Sequence, residues 1–564
     1  MLSVDRKTIF LATSVLALAI ILLYFQSLSY GFIWDDFTYI LNSKLMSDPN
    51  GLKKIWTQHS TVDFWPVAYS VLWICKQAFG NEAFGYHIVN LILYITTVIL
   101  VWKTLNKLGF AAAWWIALLF ALHPMNVEVV VWIFQIKTNL ANMFALISTL
   151  FWIEFVNRYL QNTDQYLKKD HYKYYFLSAI FLILSFLSKV SLVGLTVLFA
   201  VYLFFKFKAG SIKKVVLLTG PLFLITFAVG LINIFWEQNA FPTVDSELIL
   251  EPSMWFRFAL VGKTYFFYLF NTFWPHPLTL VHPRWVIQNS IAAYLPTFIL
   301  FAILIGSVYL ILKKKFSLTL IGLFTSFCLL FPVLGLFEIY FFRYSFVAEH
   351  WLGIAMLGFL APTIEFLFRK SVKKIWFYAV SIIVAIIFFV LSLNHIENFS
   401  TEQKLLEQNI SLNPQSLMAH NTLALVLKNK GDNEGALINL QKAININPNA
   451  QSYYNIAAIY DDRSQLDQAK LYYEKAIQLN PYFSNSYNNL GAIYAKLNLY
   501  EKASELFTEA IKRDETNALA YYNLGYAYER QNQKINALKH YQKALELSPD
   551  NLIFKQAVQE LREK

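Results

Sequence analysis

Charge and cysteine are scarce in this chain. Charged residues make up 15% of its 564 positions, against roughly a quarter in a soluble globular domain, which excludes an ordinary water-soluble fold. The two cysteines, Cys75 and Cys328, the second inside an apolar run, exclude a disulfide framework and a cysteine-based zinc site. Apolar residues take the place of charge. They reach 57% of the chain, with 17% aromatic, the composition of a polypeptide that crosses a membrane repeatedly and carries a second part besides.

The formal charge is +11, and all of that excess lies before residue 398. Residues 1–397 hold 29 Lys/Arg against 18 Asp/Glu, whereas the remainder holds 18 of each. No nucleic-acid partner is implied, because surplus Lys and Arg in short cytoplasmic loops accounts for the bias. The apolar run 8–25 follows Arg6 and Lys7 with no small-residue cleavage site after it. It reads as a retained helix whose N-terminus is cytoplasmic.

Further apolar runs at 87–105, 111–122, 138–156, 174–187, 192–207, 214–234, 291–312, 318–337, 346–368 and 375–393 bring the expected total to about eleven spans. Several are short, so tilt or local thinning is expected. Alternating sides from a cytoplasmic start puts Lys103/Lys107, Arg158/Lys168/Lys169/Lys173, Lys206/Lys208/Lys213/Lys214, Lys313 to Lys315 and Arg369/Lys370/Lys373/Lys374 inside. This pattern requires that 256–273, which carries Arg257 and Lys263, lie as an interfacial or re-entrant helix. Loops 27–86, 123–137, 235–255 and 338–345 then face outward, together with the C-terminus.

From about residue 398 the apolar density falls and a period near 34 appears. Ala424, Ala457, Gly491 and Gly525 are equivalent, as are Ala436, Ala469, Ala503 and Ala537, and then Ala443, Ala476, Ala510 and Ala544. Small residues there let paired helices touch. Pro448, Pro481 and Pro549 close their units, and Tyr487, Leu490, Gly491 and Tyr494 match a W-x-x-L-G-x-x-Y core, so the tail resembles the tetratricopeptide repeat. About four repeats over 417–551 are expected, flanked by a helix at 401–414 and a capping helix at 552–564, in a superhelix with a concave binding face. Asn455, Asn489 and Asn523 recur 34 apart. A column of amides offers donor and acceptor to an extended acceptor peptide, and the repeat consensus also favours Asn there for structural reasons.

Most remaining polar residues of the first part fall in or beside the outer loops: Asp35, Asp36, Glu128, Lys189, Arg343, His123 and His350. Charge next to an apolar phase is costly, which makes each a functional candidate. Bland roles stand beside the functional ones. Asp36 could cap a short loop helix, Glu128 could complement a helix dipole, and Lys189 could snorkel. Arg343 could pair with a nearby glutamate, while His123, His282 and His350 read more readily as hydrogen-bonded structural residues than as ligands.

Gly31-Phe-Ile-Trp-Asp-Asp36, His123-Pro-Met-Asn-Val-Glu128, Leu187-Ser-Lys189, Trp274-Pro-His-Pro-Leu-Thr-Leu-Val-His-Pro283 and Arg343-Tyr344 occur in that order ahead of the repeats. In this the chain resembles the transmembrane and tetratricopeptide repeat-containing O-mannosyltransferases and their bacterial relatives, of the GT-C glycosyltransferase superfamily. Two positions depart from the pattern: Val190 stands where the family often has Glu after Ser-Lys, and His282 where it often has an aromatic.

The resemblance implies an all-α chain, with a polytopic GT-C-type membrane domain over 1–397 and a tetratricopeptide α-solenoid over 398–564. It implies transfer of a sugar from a polyprenyl-phosphate donor to a protein hydroxyl on the outer face, with mannose favoured and inversion at the anomeric carbon. Asp35 or Asp36 would then act as base, with Glu128 assisting in a role left open, and Arg343, Lys189 and His282 would meet the donor phosphate. Asn455, Asn489 and Asn523 would bind the acceptor. The acids and histidines are compatible with a divalent metal but do not establish one. Composition points to a bacterial inner membrane with periplasmic repeats, equivalent in topology to an endoplasmic-reticulum membrane with lumenal repeats. A non-enzymatic scaffold that recruits partners through the repeats, or a transferase acting on a glycan or lipid, remain alternatives.

Overall fold

The computed structural model describes residues 6–58, 61, 63–161, 169–207, 212–240, 253–288, 290–337 and 339–563. Every regular element among them is helical, and the chain divides into two compact units, Met1–Leu412 and Asn413–Lys564.

Among the described residues of the first unit six helices are long and apolar enough to cross a bilayer: Lys7–Ser29, Ala83–Lys107, Ile133–Gln161, Ile212–Asn233, Ile291–Leu312 and Lys374–Asn398. The pair Ala113–Ala121 and Pro124–Val131, bent by 61°, is apolar enough when taken together and has the form of a broken span or a re-entrant loop. The expectation of about eleven is thus not reached by length and apolarity. The reason is geometric: Leu195–Lys206 has 12 residues, about 18 Å at 1.5 Å per residue, against a core of about 30 Å. The run 346–368 is likewise not one helix. It begins as 3-10 turns at Glu349–Trp351 and Gly353–Met356 and becomes α-helical only over Leu357–Lys370. The bend after Ala121 comes at His123-Pro124, where proline removes a donor and disfavours helix in the residue before it. Segment 256–273 lies in one helix, Met254–Phe273. Residues 241–252 of the expected outer loop, Glu338, and the basic residues Lys168 and Lys208 lie outside the described residues.

Without a hydrophobic drive between lipid-immersed helices, short polar side chains and close backbone approach do the joining. Ser148 Oγ donates to the Ser178 carbonyl at 2.7 Å and Ser178 Oγ to the Ser148 carbonyl at 3.0 Å. At another crossing, a Cβ on Gly322 would stand 2.3 Å from the Gly358 carbonyl oxygen, a contact only glycine allows. Buried Glu365 accepts from the amides of Ala111 at 3.1 Å and Ala112 at 2.9 Å, and Arg369 Nε lies 2.6 Å from it. Cys75 and Cys328 are free and buried.

The last helix of this unit, Glu402–Leu412, was expected with the tail. It belongs instead to the first unit because Asn409 Nδ2 donates to Thr279 Oγ1 at 2.7 Å and to the Val281 carbonyl at 3.0 Å.

The second unit is four helix pairs and a closing helix: Leu417–Asn429 with Asn433–Ile446, Ala450–Asp462 with Leu466–Leu479, Ser484–Lys496 with Tyr500–Arg513, Ala518–Arg530 with Lys534–Leu547, then Leu552–Glu563. Ala436, Ala469, Ala503 and Ala537 are fully buried where the helices of a pair meet, as the period required. Each pair turns through one residue of positive φ. Gly431 takes +86°, and Ser464, Asn498 and Asn532 take +59° to +61°.

Candidate functional site

The two neighbouring acids have different surroundings. Asp36 is fully buried, and its carboxylate accepts from two amides, Ile33 N at 3.0 Å and Phe134 N at 2.8 Å. Both oxygens are thereby spent on tying residues 30–36 to the turn Ile133–Gln135, and no helix cap is made. Burial pushes the Asp36 carboxyl upward while the amides pull it down. Asp35 is only partly buried, and among the described residues no hydrogen bond takes up its carboxylate. Burial raises it to about 6, opposed by the charge of Lys137. Trp34, just before it, holds φ +44°, an uncommon conformation for a side-chain-bearing residue that costs about 1–2 kcal/mol. Its ring stacks on Trp132 at 5.1 Å, and Phe341 and Tyr344 flank it at 6.3 and 6.4 Å. The last two bracket Arg343, which ends the 3-10 turn Tyr340–Arg343.

Two buried lysines lie near one another, the first of them against this loop. Lys137 Nζ lies over the Phe134 ring at 3.6 Å and the Trp65 ring at 4.7 Å, and it acts electrostatically with Asp35, Asp36 and Asp63. Lys189 Nζ donates to Thr138 Oγ1 at 2.9 Å, which donates in turn to Gln135 Oε1 at 2.6 Å. Burial, then the neighbouring Lys137, hold the Lys189 ammonium well below the usual lysine range. It does not snorkel; its exposure is 8%. A group that brought negative charge here would relieve both lysines.

A carboxylate–imidazole cluster lies deeper. Glu128 is fully buried, one residue into the helix Val127–Val131, and its Oε2 accepts from the His350 amide at 3.1 Å and meets His350 Nδ1 at 2.8 Å. Glu349 accepts from the Thr279 amide at 2.7 Å and meets His395 Nε2 at 2.9 Å, with His282 Nε2 at 3.9 Å. His282 is driven down to about 4, by burial above all. It packs on Phe267 at 5.1 Å. His123 accepts from the Met125 amide through Nδ1 at 3.2 Å and meets the Thr272 carbonyl through Nε2 at 3.0 Å, so both ring nitrogens are engaged in the bend. Among the described residues no group of three or more His, Cys, Asp or Glu has the arrangement of a metal site.

In the repeats, Asn489 Nδ2 donates to the hydroxyls of Tyr454 at 3.0 Å and Tyr473 at 3.2 Å, and Asn523 Nδ2 donates to Asn488 Oδ1 at 2.9 Å. Asn455 Oδ1 accepts from Gln451 at 3.0 Å, while its buried Nδ2 has no partner. The column extends to Asn421, whose Oδ1 accepts from Ser452 Oγ at 2.7 Å. These amides spend much of their capacity inside the repeats.

Sequence reasoning passed over Lys137, Asp63, Glu349, His395 and Glu402. Lys137 and Glu349 carried a signal, a lone charge where a long apolar stretch begins. His395 and Glu402 carried none, because their partners Glu349 and Trp34 are distant in sequence.

Comparison with known proteins fits this division. The tetratricopeptide repeat family matches residues 419–449, 450–483, 484–517 and 518–551. A Caenorhabditis elegans protein described as a protein O-mannosyl-transferase is 22% identical over 451 residues, covering 75% of this chain and 61% of that protein. The alignment thus spans about three fifths of the relative's length. Among solved structures, the crystal structure of MamA is 23% identical with a TM-score of 0.25, covering 27% of this chain and 90% of MamA. YrrB, a tetratricopeptide repeat protein described as having an unusual peptide-binding site, is 20% identical with a TM-score of 0.25, covering 35% of this chain and 95% of YrrB.

Proposed function

We propose, taking the resemblance to transmembrane and tetratricopeptide repeat-containing O-mannosyltransferases as premise, that this membrane protein is an inverting glycosyltransferase of the GT-C type. It moves a sugar, mannose by that likeness, from a polyprenyl-phosphate carrier to a hydroxyl of a protein held by the repeats. The reaction takes place on the periplasmic or lumenal side, and the N-terminus lies in the cytoplasm.

The observation that carries this reading is the contrast between the two acids. Asp36 spends both oxygens on the backbone, whereas no hydrogen bond among the described residues takes up the carboxylate of half-buried Asp35, which burial raises to about 6. A base of that strength is ionised at neutral pH yet basic enough to take a hydroxyl proton in a transition state. As the acceptor oxygen attacks the anomeric carbon, Asp35 takes its proton. The bond from that carbon to the phosphate oxygen breaks, and the polyprenyl phosphate leaves with the electron pair. Lys189 and Arg343 neutralise the departing phosphate, Arg343 through a planar fork. Lys137 keeps Asp35 ionised. Glu128 orients His350, and His282 stays outside the donor site. The acceptor polypeptide lies along the repeats, beside the column of Asn455, Asn489 and Asn523.

The test uses purified full-length protein with tritiated mannosyl-phosphoryl-polyprenol and a serine/threonine peptide library. Asp35→Asn is expected to lower transfer by about 10²–10⁴-fold. Wild-type transfer by D35N overturns the assignment, and label recovered only in glycan or lipid replaces the protein acceptor.

A further inference from the structure

We propose that Glu402 is a positioning residue for the acidic turn: its carboxylate holds the Trp34 amide and so fixes where Asp35 stands. The proposal rests on the reading of Asp35 as the base.

Asp35 sits between two anchored residues. On its C-terminal side Asp36 is held to the Phe134 amide at 2.8 Å, and inside the turn the Asp36 amide donates to the Ile33 carbonyl at 2.9 Å and the Phe37 amide to the Trp34 carbonyl at 3.2 Å. On its N-terminal side the Trp34 amide donates to Glu402 Oε1 at 3.2 Å, across 368 positions of sequence. Trp34 is also the residue with φ +44°. A left-handed residue with a side chain relaxes unless its surroundings hold it, and an acceptor aimed at its N–H is one such hold. Its ring, stacked on Trp132, supplies the other.

Glu402 opens the helix Glu402–Leu412, and acids are common in a first helical turn because they complement its dipole. The contact with Trp34 is separate from that role. It joins the acidic turn to a helix whose far end is itself fixed: Gln408 Nε2 donates to the Leu278 carbonyl at 2.8 Å, and Asn409 holds Thr279 and Val281. Thr279 in turn donates its amide to Glu349. One 11-residue helix therefore braces the turn that presents Asp35 and the strand of backbone leading to His282. A carboxylate at 402 places Asp35 without touching substrate.

The variants Glu402→Ala, Glu402→Gln and Asp35→Asn are compared in full-length protein, using tritiated mannosyl-phosphoryl-polyprenol and the serine/threonine peptide library. Because the Gln carbonyl can still accept from Trp34, E402Q is expected to recover most of the transfer that E402A loses. E402A is expected to lower kcat about tenfold, with KM for the donor within twofold of wild type, and to speed hydrogen exchange of the peptide containing residues 31–37 about tenfold. Unchanged exchange in E402A overturns the brace, whatever D35N does. Wild-type kcat in E402A, or equal losses in E402A and E402Q, overturns the positioning role. Wild-type transfer by D35N overturns the base reading and its catalytic consequence, leaving the exchange result to decide the contact alone.

Discussion

The two units satisfy buried polar groups over very different distances along the chain. In the repeats Asn523 reaches Asn488, 35 residues back, and Ser484 reaches the Ala510 carbonyl across 26. In the membrane unit Asp36 finds Phe134 across 98 residues, Glu128 finds His350 across 222, and Ala111 finds Glu365 across 254. The first arrangement gives stability that adds up repeat by repeat. The second is all or nothing: each carboxylate is costly to bury until its distant partner arrives. Damage should therefore stay local in one unit and spread in the other.

The largest expected effect is chemical. D35N, which removes the proposed base and no hydrogen bond, should cost two to four orders of magnitude in transfer while the thermal unfolding of both units is unchanged; a fall in unfolding temperature would show that Asp35 is structural. Next comes Glu128→Ala. It strips the His350 amide and ring of their shared acceptor, a loss of about 1–3 kcal/mol. Protection from hydrogen exchange should fall across residues 123–135 and 345–356 together, and a loss confined to 123–135 would break the claim that damage spreads.

Gly491→Val is the counterpart in the repeats. A Cβ there would stand 2.8 Å from the Phe507 ring, and overpacking costs about 1–3 kcal/mol. Exchange should rise in residues 484–513 and leave donor turnover intact; spread to the first repeat would blur the distinction. A smaller effect is on pH. Asp35 must be ionised to act, so transfer should increase as pH rises through about 6 and level off above it. Lys137→Met removes the charge that favours the ionised form and should move that limb upward; a downward shift would refute the assigned sign. Smallest of all is Asn455→Ala. It loses one partly buried hydrogen bond, from Gln451, and an amide nitrogen that has no partner, so stability should fall by no more than about 1 kcal/mol while KM for a bound peptide rises about threefold, and an unchanged KM argues for a structural column.

The same contrast explains what could be read from the sequence. The repeat boundaries followed from small residues such as Ala469 and Ala503, because a periodic contact writes a periodic pattern. The all-helical class followed from runs of apolar residues. Helix length does not confirm the count of about eleven spans, since hydropathy registers apolar length but not the break at His123-Pro124 or the 3-10 turns over 349–356. Asp35 and Asp36 could be singled out as a pair, yet nothing in their order tells which has spare oxygens; that depends on the amide of Phe134. The sequence around His282 likewise does not show its neighbour Glu349, 3.9 Å away and 67 positions on.

The clamp at Glu365 bears on biosynthesis. Ala111 and Ala112 open a helix whose first amides find their acceptor only in a residue made some 250 positions later. Ala111 is exposed and stands just past Lys107, so water can serve these amides until the carboxylate of residue 365 replaces it. The membrane unit is thus completed late. Truncation anywhere before residue 365 leaves the buried amide of Ala112 without its acceptor and the start of that helix untied from Leu357–Lys370.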